Sequence, residues 1–249
     1  MAAALADAPT DTSLILVGPP DSRMRPLADT VPQALLPVAG RSPIDRSIER
    51  LKQVGCTRIV VSLNPLLRPF ADQFADRAET LLEEPGLGGG GAVQKALPRL
   101  GTGPFLVLNG NGLWHDPVEP FLVRLGHHWR PELMSALLML QPLHTVIGRE
   151  PEDRGDYFLE PYGLIRHRGA APLSPYVLAG AGLFQPELFH GASLGPLSLI
   201  QACERAEQDG RLHGFVNKGL WFDVRTPRAL QAAGETLARL EAAQPAAAN

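Results

Sequence analysis

The strongest constraint on this chain is a rhythm of short apolar runs separated by segments of helical period. Residues 13–17 (SLILV), 57–63 (TRIVVSL) and 104–112 (PFLVLNGNG) are apolar and bounded by turn formers, as expected of strands buried in a parallel sheet. Between the first two lies SPIDRSIERLKQVG, residues 42–55. Ser42 is placed to cap a helix and Pro43 to start it, Ile44, Ile48 and Leu51 share one face, and Gly55 ends it. Further along, the pattern predicts a short helix over 65–77, a strand over 78–84, and a glycine loop feeding a helix over 85–101. A Leu-, His- and Trp-rich helical segment then precedes a strand over 134–143.

From about residue 155 the style changes. YFLEPYGLIRHR reads as a hairpin turning at Pro161-Tyr162-Gly163, and YVLAGAGLF as a strand. PLSLIQACERAEQDG is an amphipathic helix ending at Gly210, followed by the strand LWFDV and a helix that Thr226 caps and Pro227 opens. Strand–helix alternation followed by a β-rich half predicts one α/β domain over 13–240 with a mixed, mostly parallel sheet flanked by helices. Residues 1–12 and 241–249 are rich in Ala, Pro or Thr and read as frayed tails. No internal repeat is visible. Ligands of such sheets bind beyond the carboxyl ends of the strands, here Gly18–Arg25, Gly86–Gly91 and Asn109–Gly112.

Composition removes several classes of function. The 249 residues are 45% hydrophobic and 20% charged, with a formal net charge of −3, enough to bury a sizeable core. Without a basic stripe, a nucleic-acid partner is not expected. No apolar run approaches a membrane span, and the N-terminal segment lacks a signal-peptide pattern. Cys56 and Cys203 stand apart from any ligand partner and read as core thiols of a reducing compartment. A cytoplasmic globular protein is the expectation.

The run Gly86-Leu-Gly88-Gly-Gly-Gly91 satisfies G-x-G-x-x-G, a weak signal in any glycine-rich stretch. The segment before it, LLEEP, is not a clean buried strand, and Asn109 stands where a dinucleotide site prefers an acid. A flexible turn, a dinucleotide loop and a loop for a base and phosphate all remain open on these residues. The first strand raises a sharper question. It runs into LVGPPDSRMRPLADTVPQALLPVAG, where Pro19 and Pro20 stand beside Arg23 and Arg25. Cationic loops leaving a strand suit phosphate, but proline has no N–H to offer an anion.

Several segments together resemble the sugar-1-phosphate nucleotidyltransferases, and most nearly the bacterial N-acetylmuramate-1-phosphate uridylyltransferases. The opening stretch 16–40 is similar to LAAGxGxRMRPLTxxxPKPLLPVAG, GGGGAVQKALPRLG to GTGGAxxKALPLLG, FLVLNGNGLW to FLVVNGDxLW, and WFDVRTP to WxDVGTP. RGDYFLEPYG and YVLAGAGLF also resemble mid-chain pieces, so the likeness runs from about 13 to 240 in the family's order. It implies a Rossmann-like nucleotide-diphospho-sugar transferase fold. It also implies attack of a sugar 1-phosphate on the α-phosphate of a nucleoside triphosphate, giving a nucleotide sugar and pyrophosphate with Mg²⁺ held by carboxylates.

Carried over by position, the resemblance makes Arg23 and Gln33 the catalytic positions. Gly18, Arg23, Gly89, Gly90, Gly91 and Asn109 become nucleotide-binding, Gly180 sugar-binding, and Asn111 and Asp223 metal positions. The departures fall on the chemistry. Loop glycines become Pro19 and Asp21, the lysine becomes Gln33, and the NGD aspartate becomes Asn111. The base-loop threonine becomes Gly89, and the glycine after Asp-Val becomes Arg225. Asp21 repels phosphate, and Gln33 lacks the charge behind a bond worth roughly 1.5–3 kcal/mol. Asn111 offers a hard cation only a neutral oxygen.

Turnover is therefore expected to be weak or lost. The alternatives are a binder of nucleotide sugar or sugar phosphate that reports to a protein partner, and an interaction module with an emptied cleft. Rearrangement is the rival: Arg25 or Arg225 in place of the lysine, and Asp116 in place of the carboxylate. His127-His128 is expected at a solvated helix edge, and Trp114, Trp129 and Trp221 as packing anchors.

Overall fold

A computed structural model describes residues 10–29, 31–116, 119–190 and 195–243. Six strands run the same way: β1 (Thr12–Val17), β2 (Arg58–Leu63), β3 (Glu79–Leu82), β4 (Phe105–Asn109), β6 (Ala136–Pro142) and β10 (Leu212–Val216). One, β9 (Tyr176–Phe184), runs against them between β4 and β6. The order across the sheet is β10-β6-β9-β4-β1-β2-β3, and the hairpin β7 (Tyr157–Leu159) and β8 (Ile165–His167) joins at β9. A separate antiparallel pair forms from β5 (Leu113–His115) and β11 (Leu220–Phe222). This is the α/β class with a mixed, mostly parallel sheet that the alternation predicts.

Side chains along β1 alternate between the two faces, as a period of two requires. Ile15 and Val17 join one core cluster with Ile44, Ile48 and Leu51 of α1 (Pro43–Gln53) and Phe121 and Leu125 of α3 (Phe121–His128). Leu14 joins the other with Val93 and Ala96 of α2 (Gly88–Leu100) and Ala202, Cys203 and Ala206 of α4 (Leu199–Gln208). A third cluster lies at the end of the sheet. There Met24, Ala28 and Val38 of the first long loop pack with Leu113, Phe222 and Val224 against Leu230, Ala233 and Leu237 of α5 (Pro227–Ala243). That cluster sets the terminal β11 turn beside the loop leaving β1.

The helix caps are those anticipated. Ser42 accepts the Asp45 N–H at 3.2 Å, Thr226 accepts that of Ala229 at 3.2 Å, and Gly55 ends α1 with φ +86°. The hairpin turns at Pro161–Gly163, with an exposed Tyr162 at φ +63°. Both cysteines are buried, and burial pushes their thiols up to about 11 for Cys56 and about 12 for Cys203. Among the described residues no helix is long and apolar enough to cross a membrane.

The short helix expected over 65–77 is present as a 3-10 helix over Pro65–Phe74, with Pro69 inside it. Three expectations need correction. The strands β5 and β10 had not been anticipated. The strand β1 starts at Thr12 and the helix α5 runs to Ala243, so both expected tail boundaries fall inside regular elements. Asp11 O is held by the Thr57 and Arg58 N–H groups, and Glu241 by Arg46 at 2.5 Å. The rest of both expected tails, 1–9 and 244–249, lies outside the described residues.

The glycines 88–91 are not a loop before a helix but the first turn of α2. Gly90 and Gly91 are buried, and both N–H groups donate to Leu197 O, at 2.8 and 3.2 Å. The segment before α4 thus caps α2, and it fits only because these positions lack side chains. A Cβ on Gly90 would stand 2.7 Å from Ser198 O and 2.9 Å from Leu197 Cγ, whereas one on Gly89 would meet nothing closer than 3.6 Å. Gly90→Ala is expected to lower stability by about 1–3 kcal/mol, the usual cost of overpacking against backbone. Gly89→Ala should be neutral or slightly stabilising; thermal melts of the two variants check the contrast.

Candidate active site

The carboxyl ends of β1 and β4 open onto three adjoining cavities, of about 420, 690 and 140 Å³, and Asn109 lines all of them. The largest is mainly apolar, with Leu16, Val107, Phe184 and Leu199 beside Gly18, Gly89 and Gly180. The second holds Gln33, Asn111, Gly180 and Asp223 together with a crowd of charged side chains. The smallest lies under Gly18, Pro19 and Pro20, next to Gln33 and Asn111. Most expected site residues therefore converge. Arg23, Gly90 and Gly91 line none of the three.

Gly180 has a structural reason to be there. The pairing of β6 with β9 shifts register between Leu138 and Leu140, and Gly180 sits in the irregularity at φ +74°. An added Cβ would lie 3.1 Å from Asn109 Cβ. The bulge re-aims the first half of β9 toward the cavities.

Arg23 is turned onto its own loop. Asp21 caps the 3-10 turn Ser22–Met24 by accepting the Arg23 backbone N–H at 2.9 Å. Its two oxygens accept Arg23 Nε at 3.0 and 3.1 Å, and Arg23 Nη2 reaches Oδ2 at 2.5 Å. This bidentate bond holds the Asp21 carboxyl below its ordinary value. The fork that a phosphate would engage already grips a carboxylate three atoms wide, and Pro19 and Pro20 add no N–H.

Gln33 is buried, and its Nε2 donates to Val224 O at 2.7 Å. It ties the first loop to the turn after β11. Asn111 follows the strand end, with its backbone N–H on Asn109 Oδ1 at 3.4 Å.

Asp223 is 4% exposed, and its backbone is fixed by the bond from its N–H to Ile147 O at 2.7 Å. Gly148, at φ +84°, lets that neighbouring segment pass; a Cβ there would strike Asp223 O at 2.4 Å. Two residues on, Arg225 folds back over the carboxylate. Its Nε donates to both Asp223 oxygens at 2.7 Å, and Nη2 also bonds Oδ2. The same Nη2 reaches Asp153 at 2.8 and 2.7 Å. These bonds raise the Arg225 guanidinium above its already high value.

The divalent ion implied by the resemblance does not fit this donor set. Asn111 supplies a neutral oxygen, both Asp223 oxygens are taken by Arg225, and among the described residues no group of three or more His, Cys, Asp or Glu could hold a metal. The rearranged partners are engaged elsewhere as well. Arg25 pairs with Asp29 at 3.2 Å on the surface. Asp116 accepts Trp114 Nε1 at 3.0 Å, and burial raises its carboxyl against the pull of Arg50. Trp114 is fully buried, a packing anchor as expected. His127 and His128 end α3, and His128 Nδ1 lies 2.8 Å from Arg124 O.

Sequence reasoning missed Arg149, Asp153, Arg154, Asp156 and Arg168, which line the 420 Å³ cavity. A signal was present: six of the nine residues 148–156, GREPEDRGD, are charged.

Residues 13–110 match the model of the MobA-like NTP transferase domain family. Over 227 residues the chain is 35% identical to the N-acetylmuramate alpha-1-phosphate uridylyltransferase of Neisseria meningitidis, covering 86% of this chain and 93% of that protein. The chain belongs to the sugar-1-phosphate nucleotidyltransferase family. The enzyme of the same name from Caulobacter vibrioides is 32% identical over 243 residues, 91% of this chain and 96% of its own. Among solved structures, the inositol-1-phosphate CTP transferase of T. maritima superposes with a TM-score of 0.76 at 14% identity, covering 96% of this chain and 100% of that one. At that identity the likeness concerns the fold alone, and it bears out the expected architecture.

Because Asp21 is depressed in the folded state, its pair with Arg23 adds stability above the ordinary carboxylate range and loses it as pH falls through the lowered value. With side chains 47% and 24% exposed, the pair is worth less than about 1 kcal/mol. Asp21→Asn keeps the cap, so it should cost that small amount at neutral pH and nothing once pH lies well below the carboxylate range. Melting curves across pH measure this difference.

Proposed function

We propose that this chain is a nucleotidyltransferase-family protein whose cleft binds a nucleotide sugar, or its nucleotide and sugar-phosphate parts, with catalysis reduced or lost. The observation that carries this reading is internal neutralisation. Arg23 is engaged by Asp21, Gln33 by Val224 O, and Asp223 by Arg225, so each group at a position the family directs at phosphate or metal already has a partner within the chain. Transition-state stabilisation depends on preorganised charge aimed at the reacting phosphate. One lost contact of that kind typically costs about 10²–10³ in rate, and the groups of one site act as a unit.

The two uridylyltransferase relatives favour a uridine nucleotide and the 1-phosphate of an amino sugar acid as the ligand pair. The 690 Å³ cavity, apolar and glycine-floored, is shaped for the base, and the charged cavity beyond Asn109 for the sugar phosphate. Such ligands, together with unpaired cysteines, suit the cytoplasm.

The reading is tested by pyrophosphate release from UTP and N-acetylmuramate 1-phosphate with MgCl₂, beside the Neisseria relative. The expected rate is at least about 10²-fold below that enzyme's, with UDP-sugars still raising the melting temperature as a ligand of the native state must. Equal rates would overturn the loss of turnover, and no shift with any uridine nucleotide or sugar phosphate would leave an interaction module. Restoring Pro19→Gly, Asp21→Gly, Gln33→Lys, Asn111→Asp and Arg225→Gly together should raise pyrophosphate release by orders of magnitude. The same set without Arg225→Gly should gain far less, since Asp223 stays clamped.

A further inference from the structure

Three arginines of the charged cavity differ from Arg225 in their partners. Arg149 donates to Asp153 O at 3.5 Å, Arg154 to Pro151 O at 2.7 Å, and Arg168 to Gly155 O and Ala171 O at 2.9 and 2.6 Å. Their bonds go to backbone carbonyls, which leave the full positive charge in place. Arg225 alone among the four bridges carboxylates, joining Asp223 two residues away to Asp153, 72 residues away in the chain. The side chain is one-third exposed, at 33%, while Asp153 and Asp223 are 20% and 4% exposed. The guanidinium therefore plugs the carboxylate pair from the cavity side and still presents an edge to a ligand.

The charge balance of the cavity wall makes a second point. Arg149, Arg154, Arg168 and Arg225 face Glu152, Asp153, Asp156 and Asp223, four cations against four anions. A pair of carboxylates with a divalent cation is neutral in the same way; here the Arg225 side chain supplies one of those charges at Asp153 and Asp223. The wall is already compensated without any ion.

We propose that Arg225 is the resident cation of this site: its guanidinium, seated between Asp223 and Asp153, excludes divalent metal, and the phosphate of a sugar phosphate or nucleotide sugar is anchored by arginines without one. The assignment of the ligand rests on the proposed function, but the metal-excluding clamp does not. Arginine suits the task because its planar fork can hold a carboxylate on one edge and phosphate oxygens on another.

Mn²⁺ alone, followed by electron paramagnetic resonance of the free ion, reads the clamp directly. The wild-type protein should leave Mn²⁺ free, whereas Arg225→Gly should bind it at least about 10-fold more tightly, the scale on which changes around a ligand set act. Adding Asp223→Asn to Arg225→Gly should abolish the gain, which places the ion at Asp223. If Arg225→Gly does not fold, judged by circular dichroism, Arg225→Gln removes the charge while filling the space and should show the same direction of change. Wild type binding Mn²⁺ as tightly as the variants, or a folded variant gaining nothing, overturns the clamp.

In a second arm, calorimetric binding of UDP-glucose to wild type should have the same affinity in EDTA as in MgCl₂. Binding that requires MgCl₂ also overturns the inference. Absence of UDP-glucose binding in both buffers overturns the ligand assignment and the functional reading beneath it, and the Mn²⁺ result still decides the clamp.

Discussion

A carboxylate that is 4% exposed has lost most of its water, and an unpaired charge in that position costs several kcal/mol unless a cation stands beside it. Asp223 is that carboxylate, and its surroundings follow from how the need is met. The turn after β11 brings Arg225 back over it within two residues, and Asp153 closes the far side of the guanidinium. The carboxylate, held by Ile147 O through its own backbone and passed closely by Gly148, has little freedom to look elsewhere. A metal ion would meet the same requirement with two charges and open coordination positions. A guanidinium meets it with one charge and a fixed fork, and leaves no coordination vacancy for a reacting phosphate.

The sheet explains why this local choice matters. Parallel ladders align the carboxyl ends of β1 and β4, and the bulged β9 crosses beside them. The third core cluster then folds the loop leaving β1 against α5 and the β11 turn. Gln33 joins those parts by its bond to Val224 O. Loop, strand end and terminal turn are thus one packed unit, and a change of charge at any of them is felt in a common cavity. Asp21 with Arg23 at one side and Arg225 with Asp223 at the other are the same physical event repeated: cation and anion that a substrate complex would separate are joined within the chain.

Much of the architecture was legible because it rests on local rules. The apolar runs, the caps at Ser42 and Thr226, and the stops at Gly55 and Gly210 each fix their element by nearby chemistry. The edge strand β10 was not legible, since LHGFV carries a histidine and a glycine. Gly214 is there because Leu140 Cδ1 and Ile165 Cγ2 would stand 2.5 and 2.6 Å from a Cβ, a tertiary reason that leaves no local trace. Two of the glycines of 88–91 misled in the same way: Gly90 and Gly91 resemble part of a ligand loop and serve the packing of the segment before α4 on α2, while Gly89 lines the largest cavity. At the site, the positions of Gln33, Asn111 and Asp223 were readable by resemblance, and the loss of charge at Gln33 and Asn111 by inspection. Arg225 was readable only as a missing glycine or a substitute lysine. Its true partner, Asp153, lies 72 residues away, and pairing across that distance is set by the fold.

Whether Asp223 keeps its side-chain cation when a divalent ion and a triphosphate are offered is decisive. A crystal structure after soaking with UTP and MgCl₂ answers this directly. Arg225 is expected still forked onto Asp223 and Asp153, with no octahedral ion between Asn111 and Asp223. An ion seated there with the Arg225 side chain swung out into solvent would contradict the Arg225 clamp.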